Sequence, residues 1–165
     1  MRALIALTLA AAVAAPVALA QAPATPPMKT FASSSEVQAL MQKAKADRKG
    51  DAPLVAEPIL SLAPYRAQLE YRPGTSPAAV HEKDTELMYV LEGTGTIVTG
   101  GKLVEEKRTN ANNLSGTSIE GGKSQALAKG DFVIVPENTP HQITPGGGQP
   151  IVLMTMHAPR PTNWP

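Results

Sequence analysis

The chain contains no cysteine. No disulfide can brace it, no thiolate can hold a metal, and no thiol can serve as nucleophile. Aromatic residues make up only 4% of the 165, so a core has to be built from Val, Ile, Leu, Met and Ala. Neither sign of charge dominates: 15 Lys+Arg against 14 Asp+Glu give a formal net charge of +1. That balance supplies no electrostatic footprint for nucleic acid or for an anionic membrane. Gly146-Gly147-Gly148 has no following helix and so is no phosphate loop, and no Gly-x-Ser-x-Gly nucleophile elbow occurs.

Long apolar runs are confined to the start of the chain. Arg2 precedes an apolar stretch from Ala3 to Val17, broken by Pro16, and Ala18-Leu19-Ala20 has the small-residue form of a cleavage site. The three-part pattern predicts a signal peptide over 1–20 and a periplasmic or secreted destination. It is too short and too interrupted for a membrane span, which needs about 20 apolar residues. Without Arg2 the 15 basic residues become 14, equal to the 14 acidic ones.

Residues 21–32 are rich in Pro and Ala and read as an extended tether. Over 33–50 the spacing of Val37, Leu40, Met41 and Ala44 predicts a helix. Ser33 and Glu36 form a capping box at its start, and Gly50 stands at its end. From Leu54 the pattern becomes short β runs divided by Gly, Pro and Asn turns, over 54–62, 65–72, 85–92, 95–99, 102–107, 117–120, 124–128, 132–135, 141–144 and 150–157. Many short strands predict an all-β sandwich or barrel over 54–157. In 66–72, Ala67, Leu69 and Tyr71 share one face, and Arg66, Gln68, Glu70 and Arg72 the other; for Tyr65, Arg66, Gln68 and Glu70 a solvated strand face is the plainer reading and a pocket wall the sharper one. Thr109 to Gly116 reads as loop by composition, and the Pro-rich tail 158–165 cannot continue a ladder.

The chemistry concentrates in two stretches. His81 and Glu86 lie five residues apart, with Glu86, Met88 and Val90 on one face of the strand that follows. One carboxylate then leads an otherwise apolar row, which is costly unless a cation or donor pairs with it. His141 opens a later strand after Pro140. Two imidazoles and one carboxylate form a ligand set for a divalent transition metal that leaves coordination positions open. An ordinary hydrogen-bonded histidine at a strand end is the plainer alternative for each.

His81…Glu86…Gly93 and Gly130…Pro136…Asn138…His141 resemble the two motifs of the cupin superfamily. His81 stands as the second histidine of motif one, Glu86 as its glutamate, and Gly93 closes it. In motif two, Gly130, Pro136 and His141 match, and Asn138 replaces a glycine, a residue type able to take the same positive φ. The family's first histidine falls on Ala79. The resemblance implies a double-stranded β-helix, or jelly-roll, barrel with one N-terminal helix. It also implies a divalent metal (Fe, Mn, Ni or Zn) held by His81, Glu86 and His141, a small-molecule ligand or substrate, and a homodimer. The metal would support oxygenase, isomerase or lyase chemistry. The substitution at Ala79 leaves open a metal-free pocket that binds a small ligand without catalysis. A structural role through the Pro-rich termini rests on composition alone. His157, ending the last strand, joins the site only if that strand end reaches it. The excess length between the motifs, over 102–122, reads as an inserted hairpin or as a lid carrying Lys107, Arg108 and Asn110.

Overall fold

The computed structural model describes residues 27–161. The signal peptide expected over 1–20, the tether up to residue 26 and the tail from 162 lie outside the described residues; the first two residues of the expected tail, Ala158 and Pro159, do continue a ladder, opposite Thr85 and Asp84. After one helix, α1 (Ser34–Asp47), the chain is built of strands: β1 (Val55–Leu62), β2 (Tyr65–Arg72), β3 (Ala78–His81), β4 (Asp84–Glu92), β5 (Thr94–Thr99), β6 (Lys102–Val104), β7 (Lys107–Asn110), β8 (Asn113–Gly116), β9 (Ser118–Glu120), β10 (Lys123–Ala128), β11 (Phe132–Val135), β12 (His141–Pro145) and β13 (Ile151–Pro159). None of the helices described is long and apolar enough to cross a membrane.

All pairings are antiparallel, in two main sheets ordered β1-β2-β13-β4-β11 and β10-β5-β12-β3-β8-β7, with β6-β9 as a small separate pair. The strand alternation sends Met88, Val90 and Leu153 from the first sheet, and Ile97, Leu127 and Ile143 from the second, into one shared core. Each such side chain contributes roughly 1.5–3 kcal/mol by leaving water, so aliphatic side chains alone suffice where aromatics are few.

The helix begins as its capping box directs. Ser33 Oγ accepts from the Glu36 backbone N–H at 3.2 Å, and the Glu36 carboxylate accepts from the Ser33 N–H at 2.7 Å. Met41 and Ala44 pack on Ile59, Leu69 and Val152, closing the outer face of the first sheet. The preceding segment is less free than a tether: Lys29 exchanges two backbone hydrogen bonds with Ser61, at 2.8 and 2.9 Å.

Three expectations are corrected. The polar face of β2 is solvated only at Arg66: Gln68 is half-buried, and Glu70 and Arg72 are buried. Leu69 on the opposite face is needed under the helix, so the pleat turns the polar row into the barrel, where it satisfies itself. Arg72 donates to Glu70 at 2.8 and 2.6 Å and to Ser76 at 2.8 Å, and Gln68 donates to Glu70 at 2.8 Å. Thr109 to Gly116 is not loop: β7 and β8 form a hairpin that extends the second sheet through β3. Its Asn-rich sequence holds the tight turn at 111–112 and pairs through backbone groups, which composition does not report. Ala78–His81, left unassigned by the sequence pattern, is strand β3, lying between β12 and β8.

Candidate metal centre

The two sheets converge on one carboxylate. Glu86, the third residue of β4, points inward with Met88 and Val90 and is 2% exposed. Two imidazoles reach it from the second sheet. His81, at the end of β3, places Nε2 3.4 Å from Glu86 Oε2, and His141, at the start of β12, places Nε2 3.1 Å from the same oxygen. The fold thus brings both imidazoles to the carboxylate, but His81, Glu86 and His141 are not a set whose ligand atoms all lie within 4.8 Å of one another. Their approach depends on the two motif turns meeting. The Asn138 backbone N–H donates to the His81 carbonyl at 2.7 Å, and Asn138 takes the left-handed conformation, φ 56°. Gly93 is required too: at φ 85°, a Cβ there would sit 2.4 Å from the Pro150 carbonyl oxygen.

A fourth group arrives from a strand outside both motifs. His157 on β13 lies opposite Glu86 in the β4–β13 ladder, with Nε2 3.5 Å from Glu86 Oε1. Its Nδ1 faces Asp84 Oδ2 at 3.8 Å. The group whose ligand atoms all lie within 4.8 Å of one another is His81, Glu86 and His157. The period of two along β13 carries the sequence signal: Ile151, Leu153, Thr155 and His157 are buried, while Met154 and Met156 face outward. Ala79 lines the same cavity without offering a donor.

The ring orientations restrict the chemistry. His81 Nδ1 is 2.9 Å from Asn113 Oδ1, and His141 Nδ1 is 3.1 Å from the Thr139 carbonyl oxygen. A carbonyl can only accept, so His141 carries its hydrogen on Nδ1. The same assignment for His81 follows from the amide oxygen of Asn113. In the neutral rings both Nε2 atoms are then lone-pair acceptors, and they face a carboxylate oxygen that is also an acceptor. Glu86 Oε2 is buried with no hydrogen bond. Three acceptors converging on one buried oxygen repel unless a proton or a metal cation lies between them. With the ligand atoms of His81, Glu86 and His157 within 4.8 Å of one another, the donors around this carboxylate fit a divalent transition metal.

The electrostatics point both ways. Burial pushes the Glu86 carboxyl up, but contacts with His141 and His81 outweigh it and hold the group well below the usual carboxylate range. For His81, burial disfavours the charged ring, yet Glu86 and Asn113 together raise it above its ordinary value. For His157, burial prevails over the attraction of Glu86 and lowers it, favouring the neutral imidazole.

The cluster opens on a cavity of about 280 Å³ that includes Ala79, Gln68, Glu70 and Arg72. Lys107, Arg108 and Asn110 do not reach it. Arg108 is paired with Glu82 at 2.6 and 2.9 Å, Asn110 braces its own turn through the Asn112 N–H, and Lys107 lines a separate groove. The inserted hairpin acts instead through Asn113, a contact 32 residues from His81 in sequence and invisible in either motif.

Family models and curated protein sequences give no match to this chain. Solved structures do. An uncharacterized conserved protein with a double-stranded β-helix domain from Klebsiella pneumoniae is 17% identical, with a TM-score of 0.50, over 68% of this chain and 82% of that one. The cupin domain of Schizosaccharomyces pombe Cnp3 is 13% identical, with a TM-score of 0.51, over 71% and 67%. The iron(II) form of HppE is 18% identical, with a TM-score of 0.52, over 67% of this chain and 54% of that one. These likenesses define the fold: a double-stranded β-helix of the cupin type, mostly β with one helix among the described residues.

Proposed function

We propose that this is an exported protein that holds a divalent transition metal (Fe, Mn, Ni or Zn) inside its barrel and binds or transforms a small organic molecule in the adjoining cavity. One observation carries the reading. The Nε2 atoms of His81 and His141 converge on the buried Glu86 Oε2, which has no hydrogen-bond partner. The first two rings supply neutral nitrogen donors, and Glu86 supplies the anionic oxygen. When bound, such a metal provides a Lewis acid or an oxygen-activating centre.

The chain's own residues prepare the site. Asn113 and Thr139 fix the tautomers and tilt of two rings. The β2 row of Gln68, Glu70 and Arg72 gives the cavity wall polar groups that orient a ligand, while the aliphatic core beneath excludes water. Similarity to the iron(II) form of HppE supports a metal-bearing member of this fold.

A metal-free binding pocket is the second reading. The raised His81 imidazole favours it, since a proton shared with Glu86 also relieves the acceptor conflict. Metal analysis of protein purified without chelator separates the two. Near-stoichiometric Fe, Mn, Ni or Zn that is lost in His81→Ala and Glu86→Ala supports the metal. A wild type that arrives metal-free and takes up none of the four ions on titration overturns it.

A further inference from the structure

We infer that His157 is a metal ligand, supplying from the last strand the imidazole that Ala79 fails to supply from β3. The inference rests on the metal reading above and assigns a residue that lies outside both motifs.

His157 is 3% exposed, its Nδ1 is buried without a hydrogen bond, and its Nε2 points at Glu86 Oε1. A core histidine of ordinary structural role satisfies at least one ring nitrogen, because leaving both unmade costs the full desolvation of the ring. Here neither nitrogen makes a hydrogen bond. The nearest partners are carboxylates at 3.5 and 3.8 Å, both beyond bonding distance.

The arrangement is close to that of the other two rings. His81 and His141 each turn one nitrogen outward to a hydrogen-bonded acceptor, the Asn113 amide oxygen and the Thr139 carbonyl, and His157 turns Nδ1 toward the Asp84 carboxylate, 3.8 Å away and unbonded. Each turns Nε2 inward to Glu86, at 3.4, 3.1 and 3.5 Å. An outward N–H on a carbonyl or carboxylate with the other nitrogen free is the usual setting of a metal-bound imidazole. The Glu86 carboxylate divides its oxygens, Oε2 toward His81 and His141, Oε1 toward His157. The His81 and His157 rings meet edge to face at 4.7 Å between centroids. The donors thus come in pairs, two imidazoles from one sheet and a carboxylate with an imidazole from the other, so the ion would tie the two sheets together.

The chain has three histidines, which makes ring-nitrogen NMR assignable one residue at a time. On titration of the metal-free protein with Zn²⁺, the Nε2 resonances of His81, His141 and His157 are expected to shift together and saturate at one equivalent. Zn²⁺ uptake with His157 Nε2 unmoved overturns the proposal and leaves the metal reading standing. Absence of any shift and of any uptake overturns both. His157→Gln, which keeps a neutral polar side chain, is expected to weaken Zn²⁺ binding by at least about 100-fold, beyond the 10–100-fold that losing an outer partner costs. An affinity within threefold of wild type, measured calorimetrically, overturns the assignment.

Discussion

Glu86 and His157 face each other across β4 and β13, both at most 3% exposed, with 3.5 Å between Oε1 and Nε2. The pair sits inside one sheet, while His81 and His141 approach the other carboxylate oxygen from the opposing sheet. A single carboxylate therefore links both layers of the barrel, and its protonation state bears on stability as well as on ligation.

The metal-free protein should lose stability in acid. Burial opposes the Glu86 charge, but His141 and His81 hold the carboxyl below its ordinary 4.5, so its contribution is complete above pH 4.5 and is lost as pH falls through the depressed value. Burial holds His157 below 6.5; the native state prefers it neutral, and that contribution also fades as pH drops through the lowered value. His81 acts oppositely. Despite burial it lies above 6.5, so its contribution is present below 6.5 and is lost as pH rises through the raised value. The expected outcome is a thermal midpoint that falls below pH 4.5, with the acid limb flattened in Glu86→Gln. An unchanged limb in that variant would refute the assignment.

Asn113→Ala removes the acceptor that fixes the His81 ring. Metal affinity should drop about 10–100-fold, the usual cost of losing an outer partner, with His81 itself intact. Titration calorimetry with Ni²⁺ reads this directly, and an affinity within twofold of wild type would show that the contact does not orient the ring.

Arg72 and Glu70 form a buried pair, with Nη2 to Oε2 at 2.6 Å. Arg72→Met should cost about 3–5 kcal/mol, because it strands the Glu70 charge. Adding Glu70→Leu to the same chain should recover part of the loss. Urea unfolding of the single and double variants decides; a single variant within 1 kcal/mol of wild type, roughly the worth of a surface pair, would mean that Glu70 is compensated elsewhere.

Packing and capping should separate in size. Met88→Ala opens the shared core and should cost about 2–5 kcal/mol, since Met88 is 1% exposed. Ser33→Ala removes only the helix cap and should cost about 1 kcal/mol. Denaturant midpoints compare the two, and equal losses would contradict the placement of α1 outside the barrel core.

Asn138 holds φ 56° while its N–H binds the His81 carbonyl. Asn138→Gly should leave stability nearly unchanged. Asn138→Val should cost about 1–2 kcal/mol, the strain of a left-handed residue with a branched Cβ. Thermal shift distinguishes them, and a neutral valine would show that the turn relaxes.

The sequence by itself determined the β-barrel class, the capped helix, and the positions of His81, Glu86 and His141 at strand ends, because period-two alternation, turn residues and motif spacing are local properties. The same period placed Glu86 on the inward row with Met88 and Val90. It also divided β2 into an apolar and a polar face, but which face looks inward depends on the helix that covers Leu69, and that is a contact between distant segments.

Only the tertiary structure decided that Asn113 braces His81, that the 107–116 hairpin extends a sheet instead of covering the cavity, and that His157 faces Glu86. Each follows from strand pairing between residues tens of positions apart, where backbone hydrogen bonds set the register and side-chain identity leaves little trace. The carboxylate was legible as a residue needing a partner; which imidazoles surround it was settled by how the two sheets close.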